Sequence, residues 1–157
     1  MIFGAGGAAR AVSVELALAG ASRIVVVNRG RARAEPLVDL LNARTSAKAE
    51  FVLWPQAFRV PEDADIVINA TSIGLYPDID GRLDLDVDSL APSMVVADAI
   101  PNPPRTLLIR SAEARGCRTL DGLGMLVNQG MIGVKYWTGV DVDPGVMRAE
   151  LAKVLGV

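Results

Sequence analysis

Short runs of β-branched residues alternate along the chain with longer stretches whose apolar positions recur every three or four residues. That alternation predicts a parallel sheet with helices on both faces. The continuous run Ile24-Val25-Val26-Val27, within Arg23 to Val27, suits a strand buried on both sides. Further strands are predicted at residues 1 to 4, Glu50 to Leu53, Asp65 to Asn69, Met94 to Ala97 and Cys117 to Leu120. Helices are predicted from Ala8 to Leu18, with Val12 and Leu16 on one face and Gly20 as terminator, and from about Ala32 to Ala43, with Leu37, Leu40 and Leu41 towards the sheet. A third runs from Thr106 to Arg115 and stops at Gly116. Two more close the chain, about Met125 to Trp137 and Pro144 to Leu155, the second opened by the capping pair Asp143-Pro144. Gly74 to Pro92 is rich in Asp, Gly and Pro without helical periodicity, which predicts a long irregular loop at the carboxyl end of the fourth strand. Ligand sites of this architecture are built from such loops. No repeat or linker interrupts the pattern, so residues 1–157 form one α/β domain, a Rossmann-type doubly wound, mostly parallel six-stranded sheet.

Composition narrows the function classes. A hydrophobic content of 51% excludes a disordered tail. The net charge of −2 and the lack of any Lys/Arg block remove the electrostatic basis for binding nucleic acid. No apolar run approaches the roughly 20 residues needed to span a bilayer, and no signal peptide is evident, so a cytoplasmic protein without membrane contact is expected. A single cysteine, Cys117, rules out an intrachain disulfide, and the absence of histidine rules out a histidine base; no metal site is expected.

The chemistry begins at Gly4-Ala5-Gly6-Gly7-Ala8-Ala9-Arg10, a G-x-G-x-x-A arrangement between a strand and a helix. Gly4 permits the tight turn, Gly6 lets backbone approach a pyrophosphate, and Ala9 lets the helix pack closely on the strand. The free N–H groups and positive dipole end of the helix then meet phosphate. Only Met1, Ile2 and Phe3 precede the motif, so the first strand reads as cut short and the chain as beginning inside a larger protein. The second strand runs into Asn28-Arg29-Gly30-Arg31-Ala32-Arg33 where NAD sites commonly place an acidic residue. Arg29 and Arg33 lie four apart at a helix start, where the dipole disfavours cations, so they are assigned to the 2′-phosphate of NADP. Arg10 and Arg31 are read as surface residues.

With these motifs in place the chain resembles the C-terminal NADP-binding domain of the shikimate and quinate dehydrogenase family. The resemblance spans nearly the whole chain. Beyond the glycine loop and Asn28 to Arg33 it rests on Asn69-Ala70-Thr71, on Asp98 to Leu108, and on Asp121-Gly122-Leu123-Gly124-Met125-Leu126-Val127-Asn128-Gln129. It implies that Gly4, Ala5, Gly6, Gly7 and Ala8 hold the pyrophosphate, that Asn28, Arg29 and Arg33 hold the 2′-phosphate end, and that Asn69, Thr71 and Ala99 line the cofactor cleft. Gly122 and Met125 would sit beside the nicotinamide, and Gln129, one helical turn further on, would hydrogen-bond the hydroxyls of a shikimate-like substrate.

Two positions depart from the family pattern. Pro101 stands where the family has a substrate-reaching tyrosine, and Gly30 replaces a threonine, at a cost on the order of 1 kcal/mol. The family takes its catalytic lysine and aspartate from an N-terminal substrate domain that no motif here matches. Lys48, Lys135 and Lys153 lie outside any such motif, so no catalytic residue is assigned to this chain. The resemblance therefore implies NADP binding within a cytoplasmic shikimate dehydrogenase-like enzyme, with the isolated chain inactive and its last two helices packed towards the other domain. Quinate dehydrogenase activity and a stand-alone NADP-binding module are the alternatives.

Overall fold

A computed structural model describes residues 1–156. The apolar runs form β1 (Ile2–Phe3), β2 (Arg23–Asn28), β3 (Lys48–Leu53), β4 (Ile66–Asn69), β5 (Val95–Asp98) and β6 (Arg118–Leu120). These make one sheet, ordered β3-β2-β1-β4-β5-β6, with every neighbouring pair parallel. The order reverses direction between β1 and β4, which leaves a crevice at their carboxyl ends.

The helices are α1 (Gly7–Leu18), α2 (Arg31–Arg44), α3 (Leu107–Ala114), α4 (Gly122–Thr138) and α5 (Pro144–Leu155). In α1 small residues make the contact: Ala9, Ser13 and Ala17 are buried, and Val12 and Leu16 flank them. Helix α2 turns Ala34, Leu37 and Leu41 inward, while Leu40, expected on that face, is half-buried. One core layer gathers Ile2, Ile24, Val26 and Ile68 under α1 and α2. The other gathers Phe3, Val25, Val27, Val67 and Val96 with Phe58, Leu90 and Leu108. Alternate strand residues feed opposite layers, as the pleat requires.

Helix α4 begins at Gly122, three residues before the expected Met125, because Asp121 caps it. The Gly74–Pro92 loop is irregular as expected, except for a 3₁₀ turn at Val87–Ser89 and a bridge between Leu85 and Phe58. Among the described residues, no helix is long and apolar enough to cross a membrane.

Candidate functional site

The turn from β1 into α1 is shaped by the space available to each glycine. Gly4 has φ +105°, and a Cβ there would stand 2.8 Å from the Ala70 carbonyl oxygen, so the loop lies directly against the end of β4. Gly6 and Gly7 face open space, with no atom within 4 Å of where a Cβ would stand. The glycine backbone thus borders room for a ligand.

Capping separates the helices into two groups. Thr106, Asp121 and Asp143 cap α3, α4 and α5 with side-chain oxygens. Helices α1 and α2 start at Gly6 and Gly30, with no side-chain cap and no acidic residue in the first turn. Their free N–H groups are left to ligand or water. Both starts border one pocket, lined by Ala5, Gly6, Gly7, Arg10, Ala32 and Arg33. Ala8 lies in the exposed first turn of α1, next to this pocket.

The arginines after β2 divide as well. Arg31 pairs with Glu35 at 3.0 Å and lies over the Phe51 ring at 5.5 Å, which accounts for it as a surface residue. Arg10, Arg29, Arg33 and Arg82 form no ion pair among the described residues. Asn28 donates from Nδ2 to the Gly30 carbonyl at 2.8 Å and so holds the turn that presents Arg29. Arg33 opens on the pocket beside the glycine loop, and Arg29 on a second pocket with Trp54 and Ile73.

At the ends of β4 and β5 a buried polar network holds the crevice floor. Asn69 is fully buried; its Nδ2 donates to Asp98 Oδ1 at 3.0 Å and to the Ile73 carbonyl at 3.3 Å. Its Oδ1 accepts from Thr71 N–H at 3.0 Å and Thr71 Oγ1 at 2.7 Å. Asp98 also accepts from Ile100 N–H at 3.0 Å and from Thr106 Oγ1 at 2.7 Å. Burial pushes the Asp98 carboxyl above its ordinary range against the pull of these donors. The Asn69 side chain therefore points into the fold and shapes the cleft by holding Thr71 and the loop to Ile73. Sequence reasoning assigns no role to Asp98 or Thr106. Their available signals are a carboxylate ending an apolar strand and a threonine before an apolar helix.

Gly122, Ala99 and Ile100 meet at closer range than any side chain permits. A Cβ on Gly122 would lie 2.3 Å from the Ile100 carbonyl oxygen and 2.8 Å from the Ala99 carbonyl carbon. The start of α4 is thereby pressed onto the loop after β5. Asp121 accepts from Gly124 N–H at 3.1 Å and pairs with Arg148 of α5 at 2.5 Å. Burial raises its carboxyl, but the Arg148 and backbone N–H donors outweigh that and hold it below the ordinary range. Met125 is half-buried and Gln129 exposed one turn along the same helix. Glycine loop, crevice floor and start of α4 thus lie at the carboxyl ends of the strands, while Gln129 extends outward from them.

Comparison with known proteins gives a consistent result. The family model described as shikimate / quinate 5-dehydrogenase matches residues 1–76, and the shikimate 5′-dehydrogenase C-terminal domain matches residues 122–152. A shikimate dehydrogenase (NADP(+)) of Cereibacter sphaeroides is 45% identical over 154 residues, covering 97% of this chain and 53% of that protein. The 5-ketofructose reductase of Gluconobacter sp. strain CHM43 superposes with a TM-score of 0.91 at 51% identity, covering 98% of this chain and 55% of that one. Shikimate 5-dehydrogenase from Thermus thermophilus, solved with NADP(H) and shikimate, superposes with a TM-score of 0.78 at 31% identity, covering 98% and 54%. The chain spans about half the length of these proteins.

Proposed function

The chain belongs to the shikimate and quinate dehydrogenase family, and on that footing we propose that it is the NADP-binding domain of an oxidoreductase acting on a cyclic polyhydroxy substrate. The observation that carries this reading is the pair of uncapped helix starts around the glycine loop, with Arg29 and Arg33 at the rim, neither in an ion pair among the described residues. Helices that start elsewhere are capped by their own side chains. The residues fit a dinucleotide: Gly6 and Gly7 leave room for pyrophosphate, and two guanidinium groups suit a 2′-phosphate.

NADPH, when bound, supplies the hydride. The residues of this chain orient it. Gly4 to Ala8 offer backbone N–H groups, Met125 provides an apolar wall near the ring, and Gln129 reaches for substrate hydroxyls. Thr71 and Ala99 flank the cleft that Asn69 holds in shape. The lysine and aspartate that handle the hydroxyl proton are supplied by a substrate domain. In support, α4 and α5 expose Ile132, Tyr136, Trp137 and Val154, the last three above 80%. Such a surface suits packing against another domain.

The first substrate pair is 3-dehydroshikimate and shikimate, with quinate as the related alternative. A second reading has a specific basis. Pro101 replaces the substrate-reaching tyrosine, and the ketofructose reductase is 51% identical, so a keto-sugar belongs in the same assay. Calorimetric titration of the 157-residue chain tests the cofactor reading. NADP+ is expected to bind more tightly than NAD+, and the R29A/R33A double variant to lose at least about tenfold for NADP+ and under about threefold for NAD+. Equal losses for both dinucleotides would remove the assigned role. The chain alone is expected to show no turnover; dehydrogenase activity at ordinary enzyme rates would place catalysis within it. The full-length protein assayed with NADPH on 3-dehydroshikimate and 5-ketofructose, and with NADP+ on quinate, separates the substrates.

A further inference from the structure

We propose that Arg82, in the loop after β4, is a cofactor-binding residue that packs against the adenine of the dinucleotide opposite Arg29. The proposal rests on the cofactor reading above and deepens it. Two pockets adjoin the carboxyl ends of β1 to β3, and their linings differ in kind. One combines the glycine loop with Arg10 and Arg33, a set of N–H groups and cations suited to phosphate. The other sets Arg29 and Arg82, with Gln56 and Asp84, around Trp54, Pro55 and Ile73. The apolar surface of Trp54, Pro55 and Ile73 beside two guanidinium groups suits a flat, uncharged heteroaromatic base.

Arg82 is held there from both sides. Before it, Gly81 packs so closely on Gly74 that a Cβ would meet the Gly74 nitrogen at 2.9 Å. After it, the Asp84 carbonyl accepts from Trp54 Nε1 and from Phe58 N–H, each at 3.0 Å, and Asp84 Oδ1 accepts from Ala57 N–H at 2.7 Å. The loop after β4 is thus fastened to the loop after β3, and two of the fastening residues, Trp54 and Asp84, line the pocket. Arg82 also lines a neighbouring apolar groove with Leu83, Leu85 and Leu107. That groove gives its aliphatic stem a surface to lie on, which lowers the entropy lost when the guanidinium engages a base. Arg82 itself forms no ion pair among the described residues, and Asp84, the carboxylate lining the same pocket, is engaged through Oδ1 by Ala57 N–H.

The test is calorimetric titration of the 157-residue chain and its R82A and R82K variants with NADP+, NAD+ and adenosine 2′,5′-bisphosphate. A contact with the base is common to all three ligands. R82A is therefore expected to weaken each by the same factor, about 3- to 30-fold, and R82K by less. Arg82 is exposed, so melting temperatures should match the parent. R82A affinities within about twofold of the parent overturn the proposal alone. A loss for NADP+ without one for NAD+ also overturns it, because the contact would then be to the 2′-phosphate. A parent chain that binds neither dinucleotide overturns the cofactor reading and this proposal with it.

Discussion

Replacing Asn69 by aspartate changes one NH₂ group to oxygen and leaves the shape of the side chain intact. In the parent, Nδ2 donates to Asp98 Oδ1 at 3.0 Å and to the Ile73 carbonyl at 3.3 Å. Asn69→Asp loses both donations and places two carboxylates at that 3.0 Å separation in a site 0–3% exposed. At an effective dielectric of about 20, two charges at this distance repel by about 5 kcal/mol. The fold escapes most of that by retaining one proton between the pair, as coupled buried carboxylates do. Burial already pushes the Asp98 carboxyl above its ordinary range, which adds to the tendency of the pair to keep a proton. The sign of the pH dependence follows. The folded variant holds a proton that the unfolded chain releases near the ordinary carboxylate range of about 4, so its stability falls as pH rises above that. The slope is at most about 1.4 kcal/mol per pH unit while the proton is retained. Between about pH 5 and pH 7.5, N69D is thus expected to lose up to about 3 kcal/mol more than the parent. Urea titration followed by tryptophan fluorescence at the two pH values measures this, since Trp54 packs against the core residue Phe3 with ring centroids 5.0 Å apart while Trp137 is 84% exposed in the folded chain. A pH-independent difference from the parent, or a cost under about 1 kcal/mol at pH 7.5, would refute the described network.

Gly122→Ala places a methyl 2.3 Å from the Ile100 carbonyl, so α4 and the loop after β5 must separate. The expected cost is about 2–3 kcal/mol, a fall of about 5–10 °C in melting temperature; a variant melting within about a degree of the parent would contradict the close approach.

Local pattern settled a good deal of this protein. The β-branched run at Ile24 to Val27 specifies its strand because only a position covered on both faces favours four apolar residues in succession. Asp143-Pro144 marks the start of α5, since cap and first-turn proline act within a few residues of chain. Gly4, Gly6 and the arginines after β2 are legible for the same reason: turn geometry and helix dipole are short-range effects. Tertiary structure decided what these residues face. Asn69 belongs to a motif in sequence, but its partner Asp98 lies 29 residues away, and no periodicity links them. That partner turns the side chain inward, because two buried polar groups must satisfy each other. Arg31 and Arg33 sit two apart on one helix, yet Glu35 and Phe51 engage the first while the second opens on the glycine loop. Arg82 shows the same division most plainly. Its loop follows from Asp, Gly and Pro content, but only the bonds from Trp54, Ala57 and Phe58 to Asp84 bring it to the pocket of Arg29. Such contacts depend on which strands end side by side, and sheet order is a property of the folded chain.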